Sequence, residues 1–379
     1  MAHANLSALC RPNLRIAVIG GGVVGLAVAA QLAQRGAQVL VFERNSTLGS
    51  ETSARNSGVV HAGLYYPTGS AKARLCVQGR DHLAHLIASG KVAGRMVGKL
   101  IVAVDDAQLP ALQALSAQAQ ANGTQPLMLL DSAELHARAP QVRGVAALWS
   151  AGTGIVDPHS LVQWYRRVAE HGGAELLLRH RVVAVLRAAH GWQLSVEQPD
   201  SSMTVLDCDA VVNAAGLLAD RVARLACSHP ALPVHHFVKG NYFELQGPAP
   251  ADCLVYPLPM PHLLGLGTHL TLDLAGQARL GPDTALAESD HDYRVDPGLG
   301  AQFLAAASSF LCGLQADQLR PAFAGIRPKL ATDHAADFYI AEESASGASG
   351  WVNLLGIESP GLTASWAIGE EVATILSIN

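Results

Sequence analysis

Leu14-Arg15-Ile16-Ala17-Val18-Ile19-Gly20-Gly21-Gly22-Val23-Val24-Gly25-Leu26 is the stretch whose reading decides the fold. Its first six residues form a short apolar run closed by glycines, as expected of a buried parallel strand. Gly20 to Gly25 satisfy G-x-G-x-x-G. Leu26 to Gln34 then read as an Ala- and Leu-rich helix, with Gly36 placed to end it. A second strand, Gln38 to Phe42, finishes at Glu43, eighteen positions past the last glycine. Each part has a physical job. Gly20 makes the tight turn, Gly22 lets the backbone approach a pyrophosphate, and Gly25 lets helix and strand pack closely. The helix N-terminus offers free N–H groups and a positive dipole end to phosphates, while Glu43 can accept from ribose hydroxyls. The unit predicts dinucleotide binding and by itself leaves FAD and NAD open.

The rest of the 379-residue chain has room for a second lobe, because this length exceeds what one core usually serves. Half the residues are hydrophobic and 15% are charged, which supports a large core and excludes a mainly disordered chain. A net charge of −5 argues against a nucleic-acid binder and leaves a small anionic substrate open, since a few local cations suffice for that. The six cysteines contain no C-x-x-C pair and read as buried or incidental thiols. Asp333-His334 and His291-Asp292 lack metal-ligand spacing, so no metal is expected. Met1 to Asn13 lack the pattern of a signal peptide, and the cytoplasm is the expected address. Ile16 to Gln34 imitate a membrane span, yet the glycines and the following Val39-Leu40-Val41-Phe42 suit strand, turn and helix better.

Gly49-Ser50-Glu51-Thr52-Ser53-Ala54-Arg55-Asn56-Ser57-Gly58-Val59-Val60-His61-Ala62-Gly63-Leu64-Tyr65-Tyr66 is dense in hydroxyls and glycine, followed by Gly69-Ser70, Lys72-Ala73 and Leu75-Cys76. Further on come Gly98-Lys99-Leu100-Ile101-Val102-Ala103, Gly154-Ile155-Val156-Asp157, Ala210 to Gly216, and Lys239-Gly240-Asn241-Tyr242. Tyr256-Pro257-Leu258-Pro259, Gly267 to Thr271, Leu280-Gly281-Pro282, Ala324 to Pro328 and Gly356 to Thr363 complete the set. In this order the segments resemble the L-2-hydroxyglutarate dehydrogenase/oxidase family of the FAD-dependent D-amino-acid-oxidase-like superfamily, across about residues 14 to 376. Lys239 stands where that family has an arginine, and Arg and Lys are not equivalent at a bidentate site.

The resemblance implies FAD as cofactor, with contacts at Gly20, Gly22, Val23, Val24, Gly25, Glu43, Arg44, Thr52, Ser53, Asn56, Ser57, Gly58, His61, Val183, Ala214, Ala215, Gly216, Arg327, Gly356, Glu358, Ser359, Pro360, Gly361, Leu362 and Thr363. The expected fold class is α/β (α+β), a Rossmann-like FAD lobe beside a mixed, largely antiparallel substrate lobe. Residues 1–97, 142–230 and 321–379 are assigned to the first and residues 98–141 and 231–320 to the second. Asp157-Pro158 reads as a helix start, Val182 to Val185 as one of several strands, and Leu362 onward as a terminal helix.

Oxidation of a 2-hydroxy acid by a flavin needs a base for the hydroxyl proton, an α-hydrogen aimed at flavin N5 and cations for the carboxylate. His61, in the flavin loop, and His269, on a substrate-lobe strand, are the candidate bases. Arg327 and Lys239 are the candidate cations, and Tyr256, with Tyr65, a candidate hydrogen-bonding group. The adjacent His235 and His236 read as structural. The expected acceptor of electrons is oxygen or a quinone, and a quinone would bring peripheral membrane contact. Two other readings stay open: oxidation of an amine or amino acid on the same scaffold, and a flavoprotein subunit that only passes electrons.

Overall fold

The computed structural model describes residues 14–227, 229, 231–259 and 267–378. The leader reading of Met1 to Asn13, and Cys10 with it, lies outside the described residues. The opening motif folds as its pattern demands: β1 (Arg15–Ile19), α1 (Val23–Gln34) and β2 (Gln38–Glu43) form one parallel unit, and β1 pairs with β2 from Arg15–Gln38 to Ile19–Phe42. The apolar stretch that imitates a membrane span is this unit, with α1 buried on nearly every side beneath the sheet and the C-terminal helix Gly361–Ile375. Each fully buried Leu or Val there contributes ~1.5–3 kcal/mol. Among the described residues no helix is long and apolar enough to cross a membrane.

Around this unit a six-stranded sheet runs in the order Tyr339–Glu343, Ala348–Leu355, Ala210–Asn213, β1, β2, Glu175–Leu178. All neighbours are parallel except the outer pair Tyr339–Glu343 and Ala348–Leu355. Ligands of such sheets sit beyond the carboxyl ends of the strands, where Gly20 and Ala214 lie. A three-stranded antiparallel meander, Arg181–Arg187, Trp192–Glu197 and Met203–Cys208, covers one side.

A nine-stranded mixed sheet forms the second layer and holds Lys99–Ala103, Ala146–Ser150, His236–Leu245, Leu254–Pro257, His269–Leu272 and Leu319–Lys329 among its strands. Its pairs are antiparallel except Leu254–Pro257 beside Lys99–Ala103. Two expected boundaries are corrected by this pairing. Ala146–Ser150, placed by sequence in the FAD lobe, pairs with Lys99–Ala103, and Leu319–Lys329 pairs along its length with His236–Leu245, so 141/142 and 320/321 do not divide the layers. Arg327 therefore reaches the site from the second sheet.

The candidate active site

The glycine turn comes first because the chain permits little else there. Gly20 sits at φ +112°, and a Cβ at Gly25 would overlap the Gly20 carbonyl. The N-cap of α1 is Gly22, which has no side chain to satisfy the first-turn N–H groups; Ser53 Oγ accepts from Val23 N–H at 2.9 Å. Glu43 ends β2 with both carboxylate oxygens engaged: Oε2 accepts from Gly21 N–H (2.9 Å) and Oε1 from Asn45 N–H (2.7 Å). Burial pushes its carboxyl above the ordinary range, against the pull of those two bonds. Arg44 forks onto Glu51 at 2.7 and 3.0 Å.

From this turn a cavity of about 1150 Å³ extends between the two sheets. Gly22, Val23, Val24, Thr52, Ser53, Asn56, Ser57, Ala214, Gly216 and Leu362 line it near the nucleotide unit, and His61, Tyr65, Tyr242, Tyr256, His269 and Arg327 line it near the second sheet. Glu358, Ser359, Pro360, Gly361 and Thr363 close it from the C-terminal side. Gly20, Gly25, Glu43, Arg44, Gly58, Ala215 and Gly356 build the loops beside this wall and are not part of it. Val183 lies on the three-stranded meander, away from the cavity lining, at a register shift between Val182 and Ala184.

Two imidazoles share the inner end. His269 Nδ1 lies 2.8 Å from the Gly267 carbonyl, which can only accept, so Nδ1 carries the proton and Nε2 keeps its lone pair. Its ring stacks on Tyr256 at 3.7 Å and 17°. Burial, against the pull of the Gly267 bond and reinforced by the nearby Lys99 and Arg327, pushes His269 down to about 3. His61 is fixed at its backbone by Thr363 Oγ1, which accepts from His61 N–H (3.0 Å), and at its ring by a 3.3 Å contact between Nε2 and Ser359 Oγ. Burial and the Lys99 charge likewise push it down to about 3. Both rings are neutral near pH 7.

Arg327 turns Nε and Nη2 to the carbonyls of Val238, Lys239 and Asp283. None of these bonds uses Nη1, which is left for an anion in the cavity that Arg327 lines. The expectation for Lys239 is corrected by strand alternation: Gly240 and Tyr242 face the cavity, whereas Lys239 reaches Asp292 (2.8 Å) and the Arg294 carbonyl (2.5 Å). His235 has the structural place foreseen for it. It bridges the Leu217 carbonyl (3.1 Å) to the Gly356 N–H (3.0 Å) and so braces the Gly356 turn.

Sequence reasoning passed over three lysines. Lys72 and Lys329 both pair with Glu358, at 2.9 and 3.3 Å, which fixes the segment carrying Ser359. Lys329 was accessible to pattern reading, since it lies two residues past Arg327 on one strand face. Lys99 is buried between the rings of Tyr65 and Tyr256, 4.6 Å from each centroid; its signal was a lone charge opening an otherwise apolar strand.

The residues fit FAD: a glycine turn that a Cβ would fill, a helix N-terminus whose cap glycine carries no side chain, and a cavity larger than ordinary small-molecule pockets. Fold and site together define a flavin-dependent oxidoreductase. Residues 15–375 match the model of the FAD dependent oxidoreductase family (DAO), and the chain belongs to that family. It is 35% identical over 406 residues to the mitochondrial L-2-hydroxyglutarate dehydrogenase of Arabidopsis thaliana, covering 96% of this chain and 84% of that one. It is 32% identical over 293 residues to the human protein of the same name, covering 74% of this chain and 62% of that one. Among solved structures it resembles the FAD-bound L-alpha-glycerophosphate oxidase of Mycoplasma pneumoniae, with a TM-score of 0.84 at 24% identity over 97% of this chain and 95% of that one. Glycine oxidase from Geobacillus kaustophilus gives 0.78 at 21% over 96% and 95%. These two likenesses carry the fold alone. The expectation of a cytoplasmic protein is overturned by the relatives, which are named as mitochondrial; it had rested on the missing signal-peptide pattern.

Proposed function

We propose that the protein oxidises L-2-hydroxyglutarate to 2-oxoglutarate. The observation that carries this reading is a neutral His269, its Nδ1 held by the Gly267 carbonyl, lining the same cavity as the guanidinium of Arg327 and within its electrostatic reach. The relatives named for this substrate support it. Bound FAD supplies the hydride acceptor. The C1 carboxylate takes Arg327 Nη1, the hydroxyl donates to His269 Nε2, and the proton passes to that nitrogen as the C2–H bond breaks. Raising the charge on a buried imidazole beside Lys99 and Arg327 is costly, so the acquired proton is held loosely and leaves readily. His61, tied to Ser359 and Thr363, sets the flavin side of the cavity. Tyr242 and Tyr256 line the walls around the substrate.

The test is an anaerobic titration of the flavin absorbance with L- and D-2-hydroxyglutarate, L-lactate, glycerol 3-phosphate, sarcosine and glycine. Bleaching by L-2-hydroxyglutarate is expected, and readmitting air then separates oxygen from a quinone as acceptor. Bleaching by an amine alone would overturn the hydroxy-acid reading and leave the family intact.

A further inference from the structure

Lys99 and Tyr65 are two buried donors with nothing to donate to. Neither Lys99 Nζ nor Tyr65 Oη has a hydrogen-bond partner, and the ammonium lies against the ring of that same tyrosine and of Tyr256. Both tyrosines line the cavity, whereas Lys99 is wholly covered, its ammonium 4.6 Å from each ring centroid, and Tyr65 Oη is itself covered until a ligand reaches it. An ammonium removed from water without a counter-charge costs several kcal/mol, so a fold retains one where something repays the cost. Cation–π contact with two tyrosines offsets part of it. Every other lysine near the cavity has its carboxylate: Lys72 and Lys329 share Glu358, and Lys239 has Asp292. The groups facing Lys99 are Tyr65 and His61 from one loop, Cys76 from the helix Ala71–Ala88, and Tyr256 and His269 from two strands. None of them is a carboxylate. Burial also brings Lys99 down to about 7, as for an ammonium whose anion is absent.

We propose that Lys99 and the Tyr65 hydroxyl form a second carboxylate subsite, which selects dicarboxylates by neutralising the end of the substrate remote from Arg327. The hydroxyl donates to the distal carboxylate and the ammonium behind it supplies the counter-charge. This deepens the function proposed above and assigns to Lys99 the part that sequence reading gave to Lys239.

Binding tests it apart from turnover. The FAD-loaded protein and its Lys99→Met variant are titrated with glutarate and with pentanoate, which have the same chain length and differ in the distal carboxylate. Flavin absorbance and thermal melting report the binding. Glutarate should bind the variant about 100-fold more weakly, with pentanoate unchanged. Tyr65→Phe should cost glutarate about tenfold and leave pentanoate alone. Without ligand, Lys99→Met should melt a few degrees higher, because an uncompensated charge has been removed. Equal weakening for both acids, or none, overturns the subsite, as does failure of glutarate to bind the unaltered protein. If glutarate binds as expected yet L-2-hydroxyglutarate does not bleach the flavin, the substrate reading fails and the subsite stands.

Discussion

The two ends of the cavity are built on opposite principles. At the nucleotide end the polar side chains already have partners: Glu43 accepts from two backbone N–H groups, Arg44 holds Glu51, and Ser53 accepts from Val23 N–H at the start of α1. At the inner end Lys99 Nζ and Tyr65 Oη have none, and two imidazoles are kept neutral by burial beside a cation. The first end is finished by folding and receives its ligand on a preset scaffold. The second stores unsatisfied charge and hydrogen-bonding capacity, at a cost to stability, until a substrate completes it.

Four measurements would break or sharpen that contrast. The largest effect is expected for His269→Ala, which should lower the anaerobic rate of flavin reduction by about 10²–10⁴-fold with FAD retained; a rate within tenfold of the parent would move the base to His61. Next, Glu43→Ala removes the acceptor of two backbone N–H groups that fix the glycine turn. FAD should be retained about 10–100-fold less tightly on dilution, and undiminished retention would show the nucleotide end to be less dependent on its carboxylate than the contrast requires.

A third measurement is the pH dependence of stability. Lys99 titrates near 7 in the folded chain and about 10.4 when unfolded, so between those values the unfolded chain binds a proton that the folded one does not. Relative to Lys99→Met, the parent should therefore gain a few kcal/mol of stability as pH rises across that window. The buried thiols of Cys76, Cys208, Cys227 and Cys253, pushed up by burial, act in the opposite sense in both proteins and cancel in the difference. His61 and His269, held near 3, contribute the same sign at lower pH: stability falls as the solution is acidified from about 6.5. A difference between parent and Lys99→Met that stays constant from about pH 7 to 10 would mean that Lys99 keeps its proton in the fold. The smallest effect belongs to Lys239→Met, whose side chain points away from the cavity to Asp292; kcat/KM should change by less than about threefold. A large loss there would restore Lys239 as a substrate cation.

Much of this could be read before any coordinates. The β1–α1–β2 unit was legible because its determinants are contiguous: glycines, apolar period and terminal carboxylate all fall within thirty residues. His61, His269 and Arg327 were singled out by motif, and the structure brings them to one cavity. Val183 was not brought there, and Lys239 was misjudged because its strand's phase decides its side. A one-residue difference in phase sends a side chain to the opposite face, and the phase is fixed by pairing with Leu319–Lys329, some eighty residues away. The domain boundaries failed for a related reason: strand partners, which composition does not reveal, decide membership of a sheet.

The sequence alone determined the dinucleotide unit and the short list of titratable residues, because these depend on backbone conformation and on which residue types stand next to one another; the flavin class came from the resemblance of the ordered segments to a known family. Only the tertiary structure decided which of those residues face the cavity, which nitrogen of His269 carries the proton, and which lysine is left without a counter-ion. Those properties depend on groups far apart in the chain, and a charge is paired or orphaned only once the low-dielectric interior has assembled around it.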